Sequence, residues 1–212
     1  ADSHSRDRET RGGGSNSPES LKASSPFVSR GGIKLDFALK AFSIDPTGKV
    51  CLDVGASTGG FTDCLLKRGA GKVYAVDVGY GQLAWRLRKD SRVVCMERTN
   101  IRYLDPRSLG GPVDLVTIDV SFISLKKVLP KVLEVLKPGG CVLALVKPQF
   151  EVGKGEVGRG GIVRERSQHE RVIQDITSFS QSLGFISSGH FTSPIPGKKG
   201  NVEYFLYLKK IV

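Results

Sequence analysis

The sequence predicts an α/β domain built on a mostly parallel sheet with helices on both faces. Three observations carry this. Short apolar runs of strand length alternate with segments whose apolar residues recur at helical spacing. Strands separated by helices pair in parallel, and the crossover helices cover both faces of such a sheet. The last two strand-like runs have no helix between them, so they pair antiparallel.

In chain order, a helix is expected over 33–42, with Leu35, Ala38, Leu39 and Phe42 on one face. A buried strand at 50–54 leads through a glycine turn into a helix over 61–68, which Gly69 stops. A second strand covers 72–78, a helix 82–89, a third strand 93–96 and a fourth 114–119. Apolar residues at 125, 128, 129, 132, 133 and 136 form a helical stripe, closed by Lys137-Pro-Gly-Gly140. The fifth strand is 141–146. A helix over 168–183 turns Val172, Ile173, Ile176, Phe179 and Leu183 inward. Strands at 185–191 and 202–208, joined by a Pro/Gly loop, end the chain. Residues 1–26 are rich in Ser, Gly, Arg and Asp with no apolar period, so they read as a flexible linker or arm before a domain at 27–212. The chain does not begin with Met, which points to a fragment or a processed protein.

Composition narrows the function. The 212 residues, 39% hydrophobic, suffice for one domain with a real core. No apolar run approaches the roughly 20 residues of a membrane-spanning helix, and no signal peptide opens the chain. Cys51, Cys64, Cys95 and Cys141 are widely spaced in apolar surroundings, which fits reduced core thiols rather than disulfides or a zinc site. The net charge is +11, and the part of the chain after residue 33 carries +10 of it. A domain this basic fits a polyanionic partner, nucleic acid before anionic membrane. Solubility alone is the plainer explanation of the same charge.

The segment Asp53-Val-Gly55-Ala-Ser57-Thr58-Gly59-Gly60-Phe61 is strand, glycine turn and helix start. Its glycines allow a tight turn and close approach to a ligand. An acid two residues before the first glycine repels a pyrophosphate and attracts a cation, such as an ammonium beside a sulfonium. Asp77 follows Gly55 by 22 residues at the end of the second strand, where an acid binds ribose hydroxyls. Together the two acids point to S-adenosylmethionine. Asn100, after the third strand, is placed to meet an adenine edge, or is simply a turn residue.

Three further charges belong to strand ends. Asp119 ends the fourth strand, Lys147 ends the fifth and Glu203 opens the last. Ligands of open α/β sheets bind at the carboxyl ends of the strands. If the last strand runs antiparallel beside the fifth, Glu203 comes close to Lys147. Lys34, early in the first helix, is the candidate fourth member. Each of these alone is an ordinary solvated charge; their convergence is what points to chemistry. A lysine takes a proton only when neutral, a state favoured by burial and by a neighbouring cation. A ribose 2′-hydroxyl is a poor nucleophile, so its positioning matters as much as its deprotonation.

Seven stretches then match a known family: Ser29-Arg-Gly-Gly-Ile-Lys34-Leu, Asp53 to Phe61, Asp77-Val-Gly-Tyr-Gly-Gln-Leu-Ala-Trp85, Glu97-Arg-Thr-Asn100, Asp119-Val-Ser-Phe-Ile-Ser124, Lys147-Pro-Gln-Phe-Glu-Val-Gly-Lys154 and Gly200-Asn-Val-Glu-Tyr-Phe205. The chain resembles the TlyA family, haemolysin-related ribosomal RNA 2′-O-methyltransferases with an FtsJ-like domain. The resemblance implies a Rossmann-like methyltransferase fold with a seven-stranded sheet. It also implies a Lys-Asp-Lys-Glu tetrad, falling on Lys34, Asp119, Lys147 and Glu203, with Lys147 as general base. Members of the family carry a small RNA-binding domain before the methyltransferase; here only the linker-like residues 1–26 precede it.

Between Pro148 and Arg166 lie five glycines together with Lys154, Arg159, Arg164 and Arg166. The expectation is a mobile flap that grips RNA phosphates near the target ribose, set against the plainer reading of a long disordered surface loop. A second basic run, Arg86, Arg88, Lys89, Arg92, Arg98 and Arg102, borders the cofactor edge, and half of it can be a merely solvated face. The leading reading is an S-adenosylmethionine-dependent methyltransferase acting on ribosomal RNA or ribosomal subunits, monomeric and cytoplasmic, with a plastid or other organelle as the alternative compartment. Against it stand a membrane-active haemolysin, a non-catalytic RNA-binding module on the same scaffold and, weakest, a dehydrogenase.

Overall fold

The computed structural model describes residues 25–212, so nearly all of the expected arm at 1–26 lies outside the described residues. Seven strands form one sheet: β1 (Val50–Val54), β2 (Lys72–Val76), β3 (Val93–Met96), β4 (Val113–Ile118), β5 (Leu136–Val146), β6 (Phe185–Thr192) and β7 (Tyr204–Lys210). Their order across the sheet is β3-β2-β1-β4-β5-β7-β6. Pairing is parallel from β3 through β5, and β7 runs antiparallel to both β5 and β6. The chain leaves β1 toward β2 on one side and returns as β4 on the other. That reversal opens a crevice above the carboxyl ends of β1 and β4, where open α/β sheets bind ligands.

Among the described residues, five α-helices cover the sheet: α1 (Gly31–Ala41), α2 (Gly60–Lys67), α3 (Trp85–Arg88), α4 (Leu129–Val135) and α5 (Arg166–Leu183). On one face Leu35, Leu39, Phe61 and Leu65 of α1 and α2 pack with Leu115, Leu143 and Phe205 of the sheet. On the other, Leu129 and Val132 of α4 and Val172 and Ile176 of α5 pack with Val116, Val142 and Leu206. Alternate residues of the central strands therefore enter different cores, and both sets are apolar because both faces are covered. Each fully buried Leu or Val contributes roughly 1.5–3 kcal/mol relative to exposure.

The expected elements stand with local differences. The helix expected over 82–89 shortens to α3, because Ala84 is extended and its N–H is donated to the Thr58 carbonyl rather than back along a helix. The stripe over 125–136 divides into a 3₁₀ turn (Leu125–Lys127) and α4. Pro130, in the first turn of α4, has no N–H to donate, so the helix begins there. Strand β5 starts before the Pro-Gly-Gly turn, and Glu203 sits immediately before β7 rather than inside it. Cys51, Cys64 and Cys141 are buried free thiols, and Cys95 is half-buried and free. Among the described residues, no helix is long and apolar enough to cross a membrane.

Candidate active site

The crevice holds a cleft of about 340 Å³ lined by the glycine turn, the starts of α1 and α2, and the loops that follow β4, β5 and β6. Gly55 explains how the walls come so close. Its φ is +84°, and a Cβ there would overlap the Asp119 carbonyl oxygen. The glycine turn after β1 thus lies directly on the chain leaving β4, a contact that only glycine allows. The Asp119 N–H donates to the Val54 carbonyl at 2.9 Å and ties the two exits together.

All four expected catalytic residues line this one cleft. They resolve into two ion pairs. Lys147 Nζ lies 2.5 Å from Asp119 Oδ1 and 3.1 Å from Ser121 Oγ. Lys34 Nζ lies 3.2 Å from Glu203 Oε1. Glu203 is 2% exposed, and its other oxygen accepts from Gln149 Nε2 at 3.1 Å. Glu203 and Lys147 line the same cleft, as expected, without forming an ion pair with each other. The register that pairs Val146 with Tyr204 does bring the two backbones together. Their side chains then take different partners, Lys147 turning to β4 and Glu203 to α1. Gly197 closes over the Glu203 carboxylate, where a Cβ would overlap it.

Behind the glycine turn the expected cofactor residues divide. Asp77 Oδ2 accepts from the Ser57 N–H and Oδ1 from the Gly79 N–H, both at 2.8 Å, each oxygen keeping a lone pair. Asp77 borders a smaller recess that shares Ala56 and Ser57 with the main cleft. Ser57, Thr58, Gly60 and Phe61 also line the cleft. Gly59 instead serves packing, since a Cβ there would strike Leu83 and Leu87. Asp53 does not face a ligand. It is fully buried, and its oxygens accept from the hydroxyls of Thr62 at 2.7 Å and Thr117 at 3.2 Å. Burial pushes its carboxyl up to about 7, and the nearby Asp119 charge adds to the rise. It braces the turn from behind. Asn100 lines neither cavity; it is exposed, and its Oδ1 accepts from the Arg102 N–H at 3.0 Å, capping a short turn.

Several residues of the site were given no part by the sequence reading. Ser121 and Gln149 each buttress a tetrad member. Phe122, 91% exposed with φ +62°, stands at the mouth of the cleft with its ring 4.9 Å from that of Phe150. A bulky residue held in the left-handed region costs energy and persists where the surroundings enforce it. Glu151 joins the two loops, accepting from Ser124 Oγ at 2.6 Å and from the Leu125 N–H at 2.8 Å, and burial pushes its carboxyl up. The signal for these residues was their place inside Asp119-Val-Ser-Phe122 and Lys147-Pro-Gln-Phe-Glu151.

Lys154, Arg159, Arg164 and Arg166 are all exposed on the segment after β5. That segment is anchored at Val163, whose N–H donates to Asn201 Oδ1 at 3.1 Å and whose carbonyl accepts from buried His169 at 2.8 Å. Arg166 pairs with Glu170.

A family model described as FtsJ-like methyltransferase matches residues 27–210. The chain belongs to the FtsJ-like methyltransferase family. A relative from Mycobacterium tuberculosis, named 16S/23S rRNA (cytidine-2′-O)-methyltransferase TlyA, is 55% identical over 183 residues, covering 86% of this chain and 68% of that protein. Hemolysin A of Brachyspira hyodysenteriae is 44% identical over 182 residues, covering 85% of this chain and 76% of that one. A solved structure of a candidate hemolysin from Streptococcus thermophilus superposes with TM-score 0.86 at 49% identity, covering 88% of this chain and 68% of that chain. The FtsJ-like domain therefore carries a Rossmann-like methyltransferase fold, and the chain is an enzyme of the methyltransferase class.

Proposed function

We propose that this chain transfers a methyl group from S-adenosylmethionine to a ribose 2′-hydroxyl of ribosomal RNA. The observation that carries the reading is the cleft itself, where two ion pairs from four distant segments face the glycine turn. Relatives named for ribosomal RNA 2′-O-methylation support it.

The residues fit the methyl donor. Asp77 keeps lone pairs for ribose hydroxyls, and Ser57 and Thr58 line the cleft beside the glycine turn. When bound, S-adenosylmethionine supplies an electrophilic methyl group on a sulfonium. Lys147 receives the proton of the 2′-hydroxyl once its ammonium has released its own proton to solvent, with Asp119 and Ser121 fixing the direction of its amine. Lys34 and Glu203 hold the ribose side of the cleft. Phe122 offers its exposed ring as a platform for the target base, supported from behind by Phe150. Lys154, Arg159, Arg164 and Arg166 grip flanking phosphates, so binding weakens steeply with salt. Asp53 and Asn100 act on the turns rather than on the ligand. A cytoplasmic monomer fits these roles.

The test is to incubate ribosomal subunits with the purified chain and labelled S-adenosylmethionine, then map ribose methylation along both large RNAs. A discrete new 2′-O-methyl position supports the proposal. Label on protein, on small molecules or on RNA bases would overturn it. The haemolysin naming of some relatives offers a second reading, and vesicle leakage caused by the purified chain would favour it.

A further inference from the structure

The basic run beside the cofactor edge divides cleanly in the structure. Three of its cations are neutralised within the fold. Arg86 pairs with Asp63, Arg88 with Glu97 and Arg92 with Asp90. The other three, Lys89, Arg98 and Arg102, have no carboxylate partner among the described residues. Each stands over an aromatic ring instead. Lys89 Nζ is 4.7 Å from the centre of Trp85, the Arg98 guanidinium carbon 4.4 Å from Tyr80, and that of Arg102 5.5 Å from Tyr103.

All three rings are exposed: Trp85 and Tyr80 to 69%, Tyr103 to 76%. Large aromatic side chains normally bury most of their surface, so three exposed rings on the segments that flank the edge strand β3 are conspicuous. Tyr80 and Trp85 stand on the loop after β2 and on helix α3, which the chain leaving β3 ties together, and Tyr103 follows five residues after Arg98 on that same chain. The Arg98 N–H donates to the Gly79 carbonyl at 2.9 Å, and Glu97 bonds both the Gly81 N–H and Arg88. Arg98 itself has φ +46°, strain that its surroundings must hold in place. None of Tyr80, Trp85, Arg98 and Tyr103 lines the cleft or its recess; the inner sides of the same loops, at Asp77, Gly79 and Glu97, do. The ledge is thus the outer surface of the adenosine-side loops.

We infer that this ledge is an RNA-docking surface, with unpaired bases stacking on Tyr80, Trp85 and Tyr103 and phosphates meeting Lys89, Arg98 and Arg102. Stacking platforms interleaved with unneutralised cations are the chemistry of single-stranded nucleic-acid binding. The inference rests on the RNA reading above and adds a second contact area away from the flap and the tetrad. Structured RNA presents such bases in loops and bulges, so the ledge would select substrates with unpaired nucleotides beside the target.

Trp85 is the chain's single tryptophan, which makes it a direct reporter. The experiment titrates the whole chain with fluorescein-labelled single-stranded RNA, following Trp85 emission and RNA anisotropy together. The expected result is quenching that tracks binding and is reversed by salt. Tyr80→Ala and Tyr103→Ala should each weaken RNA binding about 5-fold or more, the lower end of what loss of one stacked base costs. Tyr80→Phe should restore affinity, and methyl transfer at saturating RNA should be unchanged in all three variants. RNA binding with no change in Trp85 emission, and with wild-type affinity in both alanine variants, overturns the ledge while leaving the enzymatic reading intact. A chain that neither binds nor methylates RNA overturns both. Emission that responds to phosphatidylglycerol vesicles but not to RNA overturns the ledge in favour of a membrane surface.

Discussion

Lys34 and Glu203 stand 169 positions apart in the chain and meet at 3.2 Å. Their side chains are 12% and 2% exposed. In so dry a place, removing one partner leaves the other as an uncompensated charge, at a cost of about 3–5 kcal/mol. Glu203→Ala should therefore destabilise the fold by about that amount, whereas adding Lys34→Met should restore part of the loss. Urea unfolding of the two single variants and the double variant closes the cycle. Losses that simply add would show that the two charges do not depend on one another.

Lys147→Ala removes the proposed proton acceptor without touching the glycine turn or Asp77. Methyl transfer should fall about 100-fold or more, the usual scale for loss of general base catalysis. Cofactor affinity, read by calorimetry, should stay within a few-fold of the parent. Unimpaired turnover in this variant would take Lys147 out of the base role.

Gly197 is pressed against the Glu203 carboxylate, so Gly197→Ala must displace one of them. The loop is at the surface, and the global fold should lose little. Activity should drop about 10-fold or more, equivalent to roughly 1.4 kcal/mol in the transition state. Single-turnover rates beside melting curves separate the two effects. Equal losses in both would mean that the residue matters only for folding.

Asp53 makes stability depend on pH. Unfolded, its carboxyl titrates near 3.8; folded, it is pushed up to about 7 by burial. Between these values the folded chain holds a proton that the unfolded chain has released. The contribution of Asp53 therefore declines as pH rises through that window, by a few kcal/mol at roughly 1.4 kcal/mol per unit. Asp53→Asn should flatten this slope, so its advantage over the parent grows from pH 5 to pH 8 in denaturant titrations. Parallel curves for parent and variant would place the titration on another group.

Much of this architecture was legible in the chain itself. The β1 strand needed only the run Val50 to Val54, and the strand–glycine–helix passage needed only Asp53 to Phe61, because local periodicity and glycine placement act over a few residues. The antiparallel pairing of β6 with β7 followed from the missing helix between the last two strands, and the return of β7 beside β5 entered only as a condition. With that return, the cleft could be assembled from Lys34, Asp119, Lys147 and Glu203 before any coordinates were known. Tertiary structure alone decided who pairs with whom. Lys147 takes Asp119 and Ser121, Glu203 takes Lys34 and Gln149, and Asp53 and Asn100 turn to internal partners. The same holds for the ledge, where equal-looking arginines divide into neutralised and unneutralised sets. The physical reason is range. Periodicity is written in neighbouring residues, whereas an ion pair depends on directions and distances of a few ångströms between segments that only the folded core brings together.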